Sequence, residues 1–292
     1  MARSLLFLPG NTPNMLINAA WLGADAVIFD LEDAVSPAEK DSARILVRNT
    51  LRYMDIPCEK IVRINSTDTD FWRDDLDAIV PEMPSSILLP KAATPNDIIA
   101  VDSYIGELEA GLGLKVGTIG IIALIETALG VENAFNIATA SKRVKALFLG
   151  AEDLTADLQC KRTKGGREIE YSRARLVVAA RAAGIEVYDT PFTDVNDDEG
   201  IITDAQTAKA LGFSGKASIS PRHVEAINTV FSPTEKEIDY AYEVIDAITR
   251  AKAEGKGAIS LYGKMIDAPI VARAERTIAV ARELGIKRGA EK

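Results

Sequence analysis

Short apolar runs rich in β-branched residues alternate along the chain with stretches of helical spacing, the pattern of strand–helix units around a parallel sheet. Eight runs carry it: Ser4 to Leu8, Ala26 to Phe29, Ile61 to Ile64, Ser86 to Leu89, Gly117 to Ile125, Val144 to Leu149, Glu186 to Tyr188 and Ala217 to Ile219. Between them, Pro13 to Leu22, Pro37 to Leu51, Asn96 to Ala110, Gly130 to Ala140, Tyr171 to Ala183 and Asp198 to Leu211 hold helical periodicity or strong helix formers. Eight repeats predict an α/β fold, a closed (β/α)8 TIM barrel. The competing open, doubly wound sheet calls for a GxGxxG turn after the first strand, and Gly10-Asn11-Thr12-Pro13 is a poor substitute.

Past the eighth run, Ser232-Pro233-Thr234-Glu235 opens a long polar helix to about Glu254, with Thr234 as N-cap and Glu237 closing a capping box. Gly255-Lys256-Gly257 ends it. A turn from Gly263 to Pro269 and a final helix from Ile270 to Leu284 follow. The expected division is therefore a barrel over 1–230 and a C-terminal helical extension over 231–292, placed as a lid over a barrel mouth, its own or a neighbour's.

At 292 residues, 47% hydrophobic and 26% charged, the chain suits one barrel with an appendage. A net charge of −9 argues against nucleic-acid or anionic-membrane partners. The start, Met1-Ala2-Arg3-Ser4, leads into an apolar run too brief for a signal peptide or membrane span, so a cytoplasmic location is expected. Cys58 and Cys160 stand apart and outside any CxxC pattern, which predicts free structural thiols. The single His223 excludes histidine-rich zinc sites, and behind Pro221 it is expected on a helix surface.

Barrel chemistry gathers at the C-terminal ends of the strands. Residues ending the runs form an unusually polar ring: Asn11, then Asp30, Glu32 and Asp33, Arg63 and Asn65, Lys91, Glu126, Glu152 and Asp153, Asp189, and Ser220. Any one of them reads equally well as a solvated loop charge or a helix cap. Glu126 and Asp153 each follow an apolar strand, and two such acids converging would bind a hard divalent cation through oxygen, which suits Mg²⁺. Repelling carboxylates need compensation, from a metal together with Arg63 and Lys91. Lys91 among so many acids stays protonated, which favours charge balance over a Schiff base. The basic segment Lys161 to Arg167 reads either as a contact for CoA phosphates or as a solvated loop.

Seven motifs in order sharpen the picture: Ser4-Leu5-Leu6-Phe7-Leu8-Pro9-Gly10-Asn11, Phe29-Asp30-Leu31-Glu32-Asp33-Ala34-Val35, Arg63-Ile64-Asn65, Leu89-Pro90-Lys91, Ile125-Glu126-Thr127, Leu149-Gly150-Ala151-Glu152-Asp153 and Gly263-Lys264-Met265-Ile266-Asp267. From Arg3 to Leu284 the chain resembles the citrate lyase β-chain family and its malyl-CoA, citramalyl-CoA and β-methylmalyl-CoA lyase relatives. The resemblance implies a Mg²⁺-dependent (β/α)8 enzyme that splits a 3-hydroxy-acyl thioester into an acetyl thioester and a 2-oxo acid. For the citrate lyase β-chain that means citryl thioester, on CoA or an acyl carrier, to acetyl thioester and oxaloacetate.

Carried over by position, Glu126 and Asp153 correspond to the metal ligands, and Arg63 to the residue beside the substrate oxygens. Asp30, Glu32 and Asp33 match the acidic motif around metal-bound waters. Asp267 matches a lid acid reaching across from a neighbouring subunit, which implies a homo-oligomer, a trimer or a multiple of one, with other citrate lyase subunits as further partners. Asn65, Lys91 and Thr127 are taken as substrate-binding, Arg63, Asp267, Asp30 and Glu32 as catalytic. A stand-alone malyl-CoA or citramalyl-CoA lyase, or a metal-dependent 2-oxo-acid aldolase, is the alternative, with a scaffold subunit that has lost its chemistry as a third reading.

Overall fold

The computed structural model describes residues 2–253, 259–286 and 288. Two compact units divide it, residues 1–231 and 232–292. The first runs β1 (Ser4–Pro9), α1 (Pro13–Ile17), β2 (Ala26–Asp30), α2 (Lys40–Tyr53), β3 (Glu59–Arg63), α3 (Phe71–Ile79), β4 (Ser86–Leu89) and α4 (Pro95–Gly111). It continues through β5 (Gly120–Ile125), α5 (Ala128–Glu132), α6 (Ala134–Ala138), β6 (Val144–Leu149), α7 (Ala151–Asp157), α8 (Glu170–Ala183), β7 (Glu186–Asp189), α9 (Asp198–Leu211), β8 (Gly215–Ser218) and α10 (Val224–Phe231). The eight strands are parallel, pair in sequence order and close where β8 meets β1. The (β/α)8 barrel expected from the hydrophobic pattern is thus the observed fold.

Because side chains alternate along a strand, each strand feeds two cores. Leu5, Ile28, Ile61, Leu88, Ile122, Leu124, Ala146, Phe148, Tyr188 and Ala217 pack with one another as the barrel interior. Their neighbours Leu6, Val27, Phe29, Val62, Ile87, Leu89, Ala123, Ile125, Leu147 and Val187 pack among the helices. Burial on both faces is why these strands read as continuous apolar runs.

Several boundaries moved, each for a local reason. The fifth strand begins at Gly120 because buried Glu109, paired with Arg143, takes the N–H groups of Gly117 and Ile119 and holds Gly117 at φ +94 in a turn. Pro13 to Leu22 splits into α1 and a 3-10 turn at Ala19–Trp21. Gly130 to Ala140 breaks at Asn133, whose side chain donates to the Ala93 carbonyl. Helices α3 and α7 had not been anticipated. His223 corrects the expectation of a surface position: it is fully buried in a 3-10 turn beside Phe192, and burial pushes its pKa down. Cys58 and Cys160 are free thiols.

The second unit consists of α11 (Glu235–Ala253), an antiparallel hairpin of β9 (Ile259–Leu261) and β10 (Lys264–Ile266), and α12 (Ala268–Glu283). Ala241, Val244, Ile266, Ala274 and Ile278 form its core. The Thr234–Glu237 capping box is present. Tyr262 and Gly263 both have positive φ, as a two-residue hairpin turn requires. Gly255-Lys256-Gly257, the expected stop of α11, lies outside the described residues. Among the described residues no helix is long and apolar enough to cross a membrane.

Candidate active site

Two positions beyond Leu5, Ile28, Ile61, Leu124, Tyr188 and Ala217, the same alternation carries side chains into the barrel mouth. Phe7, Asp30, Arg63, Leu124, Glu126, Phe148, Asp153, Thr190 and Ile219 line a cavity of about 420 Å³ there. Its floor is the apolar interior and its rim is charged; the side chains of Arg63, Asp30 and Glu32 are largely buried there, so the ion pairs among these three face little competing water.

Arg63, at the end of β3, is fixed from three sides. Its Nε and Nη2 donate to the two oxygens of Asp30 at 2.7 and 2.6 Å, Nη1 lies 3.0 Å from Glu32 Oε2, and the guanidinium covers the Phe7 ring at 5.2 Å. Burial opposes its charge, but these carboxylates outweigh that and raise its pKa, so it stays protonated. Asp30 also accepts the N–H groups of Glu32 and Ala34, which leaves its carboxylate committed to positioning Arg63. Glu32 is buried and ion-paired with Arg63 and Lys91, yet among the described residues neither of its oxygens accepts a hydrogen bond of good geometry. Burial raises its pKa in spite of those cations.

Strands β5 and β6 place the two candidate metal ligands. Ile125 pairs with Leu149, so Glu126 lies beside Gly150, whose N–H donates to the Ile125 carbonyl. Asp153 follows in the first turn of α7. The N–H of Lys91 donates to Glu126 Oε1 at 2.7 Å, and Lys91 reaches that position in the left-handed region at φ +52. Strain of this kind persists where the surroundings impose it. Its Nζ lies 3.1 Å from Glu32 Oε1, so Lys91 spans two acids. Burial, then the charge of Glu32, and further on that of Asp153, push Glu126 up to about 8.

Acids outnumber cations at this mouth, Asp30, Glu32, Asp33, Glu126 and Asp153 against Arg63 and Lys91, and the groups that could take an ion are carboxylate oxygens. A hard divalent cation fits. Among the described residues no group of three or more His, Cys, Asp or Glu side chains is placed to hold a metal. Two carboxylates suffice for Mg²⁺, which commonly takes one or two and fills its octahedron with water and substrate oxygens.

Other expected residues are engaged elsewhere. Asn65 gives both its N–H and Nδ2 to buried Asp75, and Thr127 caps α5 through the Gly130 N–H; neither lines the cavity. Thr127 follows an inward residue, so alternation turns it away. Asp189, taken for a rim acid, is wholly buried in a network with Arg173, Lys216 and Asp204. Asp267 is in the second unit, exposed, with its carboxylate accepting the Ile270 N–H as N-cap of α12. In the basic segment, Arg162 pairs with Glu168, and Lys164 with Asp194 and Asp197. The apolar wall of Phe7, Leu124, Phe148 and Ile219 was missed, although counting by twos from the interior residues would have found it.

The family model for HpcH/HpaI aldolase/citrate lyase matches residues 3–221, three quarters of the chain and every strand of the barrel. The chain belongs to the HpcH/HpaI aldolase/citrate lyase family. Within it, the citrate lyase subunit beta of Leuconostoc mesenteroides subsp. cremoris is 46% identical over 282 residues, 96% of this chain and 93% of that one. The human mitochondrial citramalyl-CoA lyase is 30% identical, over 97% of this chain and 86% of its own length. Among solved structures, a Mycobacterium tuberculosis citrate lyase beta subunit complexed with oxaloacetate and magnesium superposes with a TM-score of 0.68 at 32% identity, covering 80% of this chain and 98% of that one. The family thus includes proteins described with the metal that the paired carboxylates suit.

Proposed function

We propose that the chain is a Mg²⁺-dependent carbon–carbon lyase of the citrate lyase β-chain type, cleaving a citryl thioester into an acetyl thioester and oxaloacetate. The observation that carries this reading is the meeting of Glu126, Asp153 and the fixed guanidinium of Arg63 at one cavity. The Leuconostoc and Mycobacterium relatives support the substrate and the metal.

Glu126 and Asp153 would hold the ion. When bound, Mg²⁺ supplies positive charge that polarises the oxygens of the 2-oxo acid portion. Arg63, locked by Asp30, presents donors where negative charge grows as the bond between the α and β carbons breaks. That bond leaves its electron pair on the thioester α-carbon, the hydroxyl proton passes to a carboxylate of the mouth, and a proton must return to carbon. We assign the return to Asp267, carried on the β9–β10 hairpin and α12 of the second unit. In this reading the second unit is a lid that excludes water from a neighbouring subunit's mouth in a trimer. An acyl carrier and companion citrate lyase subunits are the corresponding partners, and the free thiols of Cys58 and Cys160 support a cytoplasmic location.

The test is purified protein with Mg²⁺ and (3S)-citryl-CoA, oxaloacetate being read by NADH oxidation through malate dehydrogenase. We expect turnover that Glu126→Ala abolishes. Cleavage of (S)-malyl-CoA or citramalyl-CoA alone would move the assignment to the stand-alone lyases. No oxo acid from any thioester would overturn it.

A further inference from the structure

Lys40 sits where a lysine should be unwelcome. It is the first residue of α2, a 14-residue helix, so its ammonium stands at the positive end of the helix dipole, and it is 7% exposed. Burial lowers its pKa, against the opposing pull of Asp30, Asp75, Glu32 and Asp33. A side chain that breaks two local rules at once marks a compensating role nearby. Its Nζ donates to the carbonyls of Leu31 at 2.7 Å and Glu32 at 2.6 Å, the backbone that joins Asp30 to Glu32. One turn on, the largely buried Arg44 donates from Nε to Asp75 Oδ1 at 2.9 Å, and Asp75 Oδ2 takes both nitrogens of Asn65, two residues past Arg63. Two inward cations on one face of α2 therefore brace the segments just after β2 and β3, which hold Glu32 and follow directly on Asp30 and Arg63.

We propose that Lys40 is a positioning residue for the lyase site: by holding the Leu31 and Glu32 carbonyls it fixes Asp30 against Arg63 and turns the Glu32 carboxylate towards Lys91 and Glu126. The inference rests on the functional reading above for its consequences in catalysis, and on the two hydrogen bonds alone for its consequence in the loop. Neither bond reaches substrate, so Lys40 acts through Asp30 and Glu32.

The test is Lys40→Met in the full chain, which keeps the stem and removes every donor, with Lys40→Arg as the conservative variant. Three readings are compared: Mn²⁺ dissociation constant, kcat against KM, and amide exchange over residues 30–36. We expect Mn²⁺ binding and kcat each to fall about 10- to 100-fold, the range typical of residues that orient ligands from behind. KM should change less than about threefold, exchange at 30–36 should quicken, and Lys40→Arg should recover part of the loss. Unchanged exchange at 30–36 would overturn the proposal, as would losses that only track the unfolded fraction in a melt. Should Lys40→Met not fold, Lys40→Gln is read in the same way. A wild-type protein that turns over no thioester would defeat the lyase reading, and the exchange comparison would still decide the role of Lys40.

Discussion

Gly150 offers a perturbation that adds one methyl group and changes no charge. A Cβ built there would lie 2.7 Å from Glu126 Oε2, 2.8 Å from Glu126 Cβ and 3.2 Å from Leu124 Cδ1. Ordinary carbon contacts begin at about 3.5–4.0 Å. Rotating the carboxylate can clear Oε2, but Glu126 Cβ is fixed by its strand, so β5 and β6 must part by about 1 Å for Gly150→Ala to fit. Glu126 then shifts relative to Asp153 and Arg63 by a similar amount, and a misplacement of about 1 Å costs roughly 100-fold in rate. That is about 2.7 kcal/mol of transition-state stabilisation. The assay is coupled oxaloacetate release from citryl-CoA at saturating Mg²⁺, alongside a thermal melt. Gly111→Ala is the control, since a Cβ there meets nothing within 4 Å. A Gly150→Ala enzyme with kcat within about threefold of wild type would refute the claim that the spacing of these strand ends sets the chemistry.

Other outcomes follow from the same geometry. With Glu126 pushed up to about 8, Mg²⁺ must displace its proton, so affinity should rise up to about tenfold per pH unit and level off above pH 8, which isothermal titration in buffers of different ionisation heat would detect as proton release. The folded pKa exceeds the unfolded one, so between about 4.5 and 8 the metal-free native state holds a proton that the unfolded chain lacks, and this group's contribution to stability is lost as pH rises. Melts of wild type minus Glu126→Gln should show that decline without Mg²⁺ and not with it. Thr127→Ala, which removes the cap of α5, should cost about 1 kcal/mol of stability and leave KM within about twofold; a large KM change would restore Thr127 to the substrate. On the proposed lid arrangement, co-assembled Asp267→Asn and Glu126→Gln chains should regain part of the activity that each lacks alone, because one intact lid would meet one intact mouth; no recovery would sink that proposal.

Periodicity carried the barrel because strands buried on two faces and helices buried on one leave different spacings, and both survive in a single sequence. The same alternation, extended two residues past Ile28, Ile61 and Leu124, leads to Asp30, Arg63 and Glu126. It was less informative once the strands ended. Asn65 has the inward parity of Arg63, but it follows the last residue of β3 and turns to Asp75, a partner ten residues on that no local pattern reveals. Asp189 shows the converse: a charge ending a strand looked like part of the mouth, yet its outward parity sends it to Arg173 and Lys216 between strands and helices. Buried charge networks of this kind depend on residues distant in sequence, and so did the burial of His223.

The most direct test of the metal site counts bound ions. Equilibrium titration with Mn²⁺, followed by the electron paramagnetic resonance of the free ion, should give one site per wild-type chain. Glu126→Gln and Asp153→Asn should each weaken it by about tenfold or more while circular dichroism stays unchanged. Wild-type affinity retained in both variants would contradict the shared site on which the lyase chemistry depends.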